Sequence, residues 1–144
     1  MGSTPSRRVA LVTGCAKQNG IGAAIARALA ADGVAVAVSD IELKGVANES
    51  GDSVNPNEQS DWAGLSSLVN EIARSSDGFA VQGDVGDERD CARMVQETVD
   101  RFGRLDILVN NAAAPLGADH TSITGVSPAT FHTQLKVNVV GAFL

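Results

Sequence analysis

Residues 9–22 read VALVTGCAKQNGIG, and the fold turns on them. Val9-Ala10-Leu11-Val12 is an apolar run too short for a helix and closed by Gly14, so it reads as a strand buried on both faces. Behind the glycines, Ile21, Ala24, Ile25, Ala28 and Leu29 recur at i, i+3 and i+4, the spacing of one apolar helix face. Gly33 ends that helix. Val34 to Val38 alternates only valine and alanine and predicts a second covered strand, with Asp40 at its end.

Working outward, residues 41–60 turn polar, with Gly45, Gly51 and Pro56 among Asn, Ser and Asp, and predict a loop or an insertion near 43–60. Trp62, Leu65, Leu68, Val69 and Ile72 restore helical spacing, and Phe79-Ala80-Val81 runs as a third strand into Asp84-Val85. A helix with Met94, Val95, Thr98, Val99 and Phe102 on its inner face follows, ended by Gly103. Leu105 to Val109 is the fourth strand, leading into Asn110-Asn111-Ala112-Ala113-Ala114. A last helix starts at Ser127-Pro128, where Ser caps and Pro takes the first turn, and continues to Leu144. Strands alternating with helices predict an α/β, Rossmann-type doubly wound parallel sheet, incomplete at about four strands, with right-handed crossovers. Residues 1–6 read as a disordered leader and 7–144 as one half-domain. The last helix ends on apolar residues, which predicts that the chain is part of a longer protein.

The glycine turn carries the chemistry. A dinucleotide presents its pyrophosphate to free backbone N–H groups at a helix N-terminus, reachable only where side chains do not block the approach. Gly14 permits the tight turn, Gly20 the close approach of the phosphates, and Gly22 the contact of helix with sheet. Asp40 lies 18 positions after Gly22, near the roughly 20-residue spacing of a carboxylate that accepts bonds from the ribose hydroxyls. A 2′-phosphate about 4 Å from Asp40 would be repelled by ~1 kcal/mol in water and up to ~4 at an effective dielectric of 20, which favours NAD over NADP. Lys17 is the counterweight, since its ammonium is able to pair with a 2′-phosphate.

Composition narrows the partners. The chain has 144 residues, 44% hydrophobic and 19% charged, with a mean hydropathy of +0.05, the profile of a globular domain. Eleven basic and 17 acidic residues give a net charge of −6, which argues against nucleic acid or an anionic membrane as partner. No apolar run reaches the roughly 18 residues of a membrane span, and a cytoplasmic location is expected. Cys15 and Cys91 lie far apart, and His120 and His132 stand 12 apart with no partners at ligand spacing, so no metal is expected. Cys15, inside the turn, is either a thiol acidified by the helix N-terminus or a small residue that fits; without an identifiable basic partner the second reading is preferred.

Thr13-Gly14 with Gly20-Ile21-Gly22, Asp84-Val85, Asn110-Asn111-Ala112-Ala113 and Val137-Asn138-Val139, in this order over residues 7 to 144, resemble the short-chain dehydrogenases/reductases. The resemblance implies a cofactor site of Gly14, Lys17, Asn19, Gly20, Ile21, Gly22, Asp40, Ile41, Asp84, Val85, Asn111, Ala112 and Ala113. Within it, Asp84 bonds the adenine, Val85 flanks it, and Asn111 to Ala113 line the cleft. Asn138 matches the family's catalytic asparagine, which helps hold a water in a proton relay; from the residue alone, bonding to nearby backbone is the alternative. The implied activity is hydride transfer between NAD, or less favourably NADP, and a small secondary alcohol or ketone, by a homo-oligomer.

Two departures stand out. Five residues separate Gly14 from Gly20 where the family pattern has three. The family's catalytic serine, tyrosine and lysine follow the asparagine in a segment beyond Leu144, and the chain contains no tyrosine. The chain alone is therefore expected to bind nucleotide and be inert. A non-catalytic dinucleotide-binding module is the alternative, and a methyltransferase is disfavoured because Val12-Thr13 stands where an acidic residue would precede the glycines.

Overall fold

A computed structural model describes residues 7–44, 61–114 and 122–144. The leader expected at 1–6, residues 45–60 of the polar segment, and His120 lie outside the described residues. Four strands, β1 (Val9–Thr13), β2 (Ala35–Asp40), β3 (Gly78–Gln82) and β4 (Ile107–Val109), form one parallel sheet in the order β3-β2-β1-β4. The register sets Thr13 beside Ser39, Val12 beside Val109 and Asp40 beside Gln82. All four strands therefore end at one edge.

Side chains alternate across a strand, so each face of the sheet has its own core. Ala10, Val12, Val36 and Val38 face α1 (Ile21–Ala31) and α2 (Leu65–Ile72), where Leu65, Leu68 and Ile72 are buried against them. Leu11, Ala37 and Val81 face α3 (Glu88–Phe102) on the other side, through Met94, Cys91 and Phe102. The Phe79 and Phe102 rings meet edge to face at 6.3 Å, a favoured aromatic geometry. Helices on both faces of a parallel sheet make the doubly wound architecture, here partial.

Three helices differ from the sequence expectation. The buried face of α1 is Gly22, Ala23, Ala26 and Ala30, while Ile25 and Leu29 pack at its flank and Ile21 is 75% exposed. Small residues set the contact because the helix lies close to the sheet, and the bulky residues occupy the margin. Trp62 lies ahead of α2 and not within it, since Gly64 at the N-cap takes a positive φ and starts the helix at Leu65. Val95 on α3 is exposed, leaving Met94 and Thr98 as its buried residues. The last helix begins as expected: Ser127 Oγ accepts the Thr130 N–H, and Pro128 opens α4 (Pro128–Leu135). A π-helical turn, Lys136–Val140, then interrupts it before α5 (Gly141–Phe143). Strand β4 is shorter than expected, and Leu108 on it is exposed.

Candidate functional site

The residues singled out in the sequence follow the carboxyl ends of the four strands, the edge where open α/β sheets take ligands. Cys15 to Gly20 follow β1, Ile41 follows Asp40 at the end of β2, Asp84 and Val85 follow β3, and Asn111, Ala112 and Ala113 follow β4. Asn138 arrives from the π-helical turn, a distortion that recurs at functional sites.

The glycine turn is built for close approach. Gly14 has φ +73°, and a Cβ there would stand 2.7 Å from Ala112 Cα. A Cβ on Gly22 would fall 2.6 Å from Asn111 Nδ2 and closer still to Gly14 O, so α1 reaches the end of β1 only without a side chain. At Gly20 the crowding comes from Lys17, whose carbonyl accepts the Gly20 N–H at 3.0 Å and closes the turn on itself. The first intrahelical bond of α1 is Ala24 N–H to Gly20 O, which leaves the N–H groups of Ile21, Gly22 and Ala23 ahead of it. Unlike α3, capped by Asp87, and α4, capped by Ser127, α1 has no side-chain cap and no acidic residue in its first turn. Its N-terminus presents donors and a positive dipole end suited to a phosphate. Ile21, Lys17 and Asn19 are exposed beside it.

Asp40 is partly buried and turned toward this loop. Its Oδ2 accepts the Ala16 N–H and its Oδ1 the Ile41 N–H, both at 2.8 Å. Ile41 is in turn held by Gln82 Nε2, which donates to its carbonyl at 2.9 Å. Asn111 faces inward: its Nδ2 donates to Thr13 O at 2.8 Å and to Gly14 O at 3.1 Å. Thr13 Oγ1 accepts the N–H groups of Asn111 and Ala112 and donates to Val109 O, so one buried hydroxyl joins β1 to the turn after β4.

Asp84 is engaged more fully than the resemblance implies. Its Oδ1 accepts the Gly86 N–H, its Oδ2 the Lys136 Nζ at 2.8 Å, and its own N–H donates to Asp90. The hydrogen bond from Lys136 holds the Asp84 carboxyl below its ordinary 3.8. The Lys136 stem lies over Gly86, where a Cβ would be 2.6 Å from Lys136 Cε. Gly141 lies as close to Val85, its Cβ position 2.9 Å from Val85 O, so the last helix rests on the β3–α3 turn through two glycines. Asn138 is exposed, and both ends of its side chain are bonded: Oδ1 accepts the Ala114 N–H at 2.9 Å and Nδ2 donates to Gln134 Oε1 at 2.8 Å. It ties the π-helical turn to the turn after β4.

Sequence reasoning passed over Thr13 as a hub, Lys136, Gly86 and Gly141. Gly86, two residues after Asp84, and Gly141, inside an apolar run, were the available signals; nothing local marks Lys136 or Thr13. Cys15 is fully buried, donating to Val12 O, and burial followed by the Asp40 charge pushes its thiol up to about 12. The acidified-thiol reading is thereby excluded. Among the described residues, no cluster of His, Cys, Asp or Glu is arranged to hold a metal, and no helix is long and apolar enough to cross a membrane.

The sequence profile described as "short chain dehydrogenase" matches residues 8–144. Versicolorin reductase 1 of Aspergillus parasiticus is 34% identical over 137 residues, 94% of this chain and 44% of its own length. The 3-oxoacyl-[acyl-carrier-protein] reductase of Synechocystis is 31% identical over 137 residues, 95% of this chain and 47% of its own. Among solved structures, the alcohol dehydrogenase of the archaeon Thermococcus sibiricus, complexed with 5-hydroxy-NADP, superposes with a TM-score of 0.71 at 26% identity, covering 95% of this chain and 49% of that one. The chain spans about half the length of the curated relatives it matches.

Proposed function

Because this chain belongs to the short-chain dehydrogenase family, we propose that residues 7–144 bind the nicotinamide cofactor of an oxidoreductase acting on a small secondary alcohol or ketone. The observation that carries the reading is the uncapped N-terminus of α1, approached over Gly14, Gly20 and Gly22 and flanked by the fixed carboxylate of Asp40. These residues fit a dinucleotide: the first-turn N–H groups of α1 hold the pyrophosphate, Asp40 accepts from the adenosine ribose, and Ile41, Asp84 and Val85 border the adenine. Ala112 and Ala113 line the path toward the nicotinamide, while Asn111 fixes the glycine turn from behind. When bound, the nicotinamide supplies the hydride acceptor or donor.

NAD is preferred. A 2′-phosphate beside Asp40 meets a carboxylate whose two oxygens are anchored to backbone N–H groups, so it cannot swing aside without breaking them. Asn138 holds the turn after β4 and so positions the wall of the nicotinamide end. The family resemblance gives general acid–base work to a tyrosine, and such help is worth about 100- to 10,000-fold. With no tyrosine, this chain binds cofactor without turnover. For the whole protein we propose a cytoplasmic location and a homo-oligomeric state; the exposed Phe131, Val139 and Phe143 along the last helix support the second.

Calorimetric titration with NAD and NADP, followed by an assay for NADH production from secondary alcohols, tests the reading. The expected result is binding of both, NAD the tighter by at least about fivefold, from ~1 kcal/mol of screened repulsion, and no turnover. Tighter NADP binding overturns the cofactor assignment, and turnover by this chain overturns the claim that it only binds.

A further inference from the structure

The glycine turn is two residues longer than the pattern it resembles, and two side chains from outside it hold its carbonyls while a third holds one of its N–H groups. Trp62 Nε1 donates to Ala16 O at 2.9 Å. Arg27 on α1 donates from Nη1 to Gln18 O at 2.9 Å, and its Nε donates to Glu71 Oε2 on α2 at 2.7 Å. The Arg27 guanidinium also lies 5.8 Å from the centre of the Trp62 ring, within cation–π range. Asp40 holds the Ala16 N–H from the opposite side. The residues between Cys15 and Gly20 are thus pinned at Ala16 and Gln18 by groups from α1, from β2 and from the segment ahead of α2, and Trp62 is the chain's sole tryptophan.

We propose that Trp62 and Arg27, with Glu71 behind them, are positioning residues that brace the lengthened turn so that the N–H groups at the start of α1 meet the pyrophosphate in one geometry. The proposal rests on the dinucleotide reading above. A longer loop has more conformations to lose when it binds, and a loop fixed beforehand keeps the affinity that ordering would otherwise remove. Both braces act on the phosphate turn and not on the adenine, because the carbonyls they hold are those of Ala16 and Gln18. Trp62, placed directly on the turn, also makes its own fluorescence a reporter of phosphate binding.

The test compares ADP with adenosine on the intact chain and on Trp62→Phe and Arg27→Lys. Trp62→Phe removes the N–H and keeps a ring; Arg27→Lys keeps the charge and loses the fork that bonds Gln18 and Glu71 together. In the parent, ADP is expected to shift the tryptophan emission and bind measurably by calorimetry. Each variant is expected to weaken ADP by about tenfold, roughly the net worth of one hydrogen bond, with adenosine affinity unchanged. Hydrogen exchange at Ala16 and Gly20, the turn amides that are hydrogen-bonded to Asp40 and to Lys17 O, should quicken in both variants without ligand, a readout that holds if either proves too unstable to titrate. Unchanged ADP affinity and exchange, or equal losses for ADP and adenosine, overturn the brace while leaving the dinucleotide reading intact. A parent that binds neither ADP nor NAD overturns that reading, and the brace with it.

Discussion

Asp40 directs one carboxylate oxygen at the glycine turn and the other at Ile41, which fixes a negative charge where the ribose of the adenosine would lie. Asp40→Ser removes that charge and should shift the NAD to NADP affinity ratio toward NADP by about fivefold or more, read by calorimetry with both cofactors. An unchanged ratio would mean that Asp40 serves the turn alone. Cys15 gives a prediction of the opposite kind. With its thiol pushed up to about 12, only ~10⁻⁴ of it is thiolate at pH 8, so iodoacetamide should leave Cys15 unlabelled in the folded chain and modify it in denaturant, as mapped by peptide mass. The placement of Asp40 and the glycines at the ends of β2 and β1 was legible because it is set by spacing along a local strand-turn-helix unit. Thr13 was not, because its partners Asn111 and Ala112 are brought to it only by the sheet.

At the level of elements, the approach of α1 to β1 depends on a missing side chain. Gly22→Ala would push a methyl into Asn111 Nδ2 and the Gly14 backbone, and overpacking of this kind costs about 1–3 kcal/mol. Chemical denaturation should show that loss together with a loss of NAD binding; a stable variant that still binds would mean that α1 has room to shift. The pairing of Lys136 with Asp84 ties the last helix to the β3–α3 turn and carries a pH signature. A carboxyl held below its ordinary 3.8 contributes stability above that value and loses it as the pH falls through its folded value. Asp84→Asn should therefore lower stability by about 0.2–1 kcal/mol at pH 7 in low salt, as expected of a partly exposed ion pair. The gap from the parent should close below about pH 3.8, as thermal melts across pH would show. The order and kind of the elements followed from periodicity, as did the buried residues of α2 and most of the inner face of α3, but the face of α1 did not. In α1 the alanines form the contact and the larger residues the rim, so a pattern weighted by hydrophobic bulk is rotated away from the buried side. The π-helical turn at Asn138 was not anticipated either; the three valines and one asparagine among its five residues are weak helix formers, but they mark no particular distortion.

For the molecule as a whole, the β-α-β unit at residues 9–40 predicted a parallel sheet, and the order β3-β2-β1-β4 with helices on both faces is that sheet in part. Valine and alanine runs covered on both faces leave few other arrangements. The braces on the glycine turn were illegible because they join residues from Gln18 to Glu71 across an intervening polar segment, and hydrogen bonds of that reach leave no spacing pattern. The carboxyl edge of this sheet is proposed as a dinucleotide site. Its most direct test is an NMR titration of the labelled chain with NAD, mapping which backbone amides shift. Saturable shifts are expected at Gly20, Ile21 and Gly22, at Asp40 and Ile41, at Asp84 and Val85, and at Ala112 and Ala113. Shifts confined to other surfaces, or no saturable change at those amides, would contradict it.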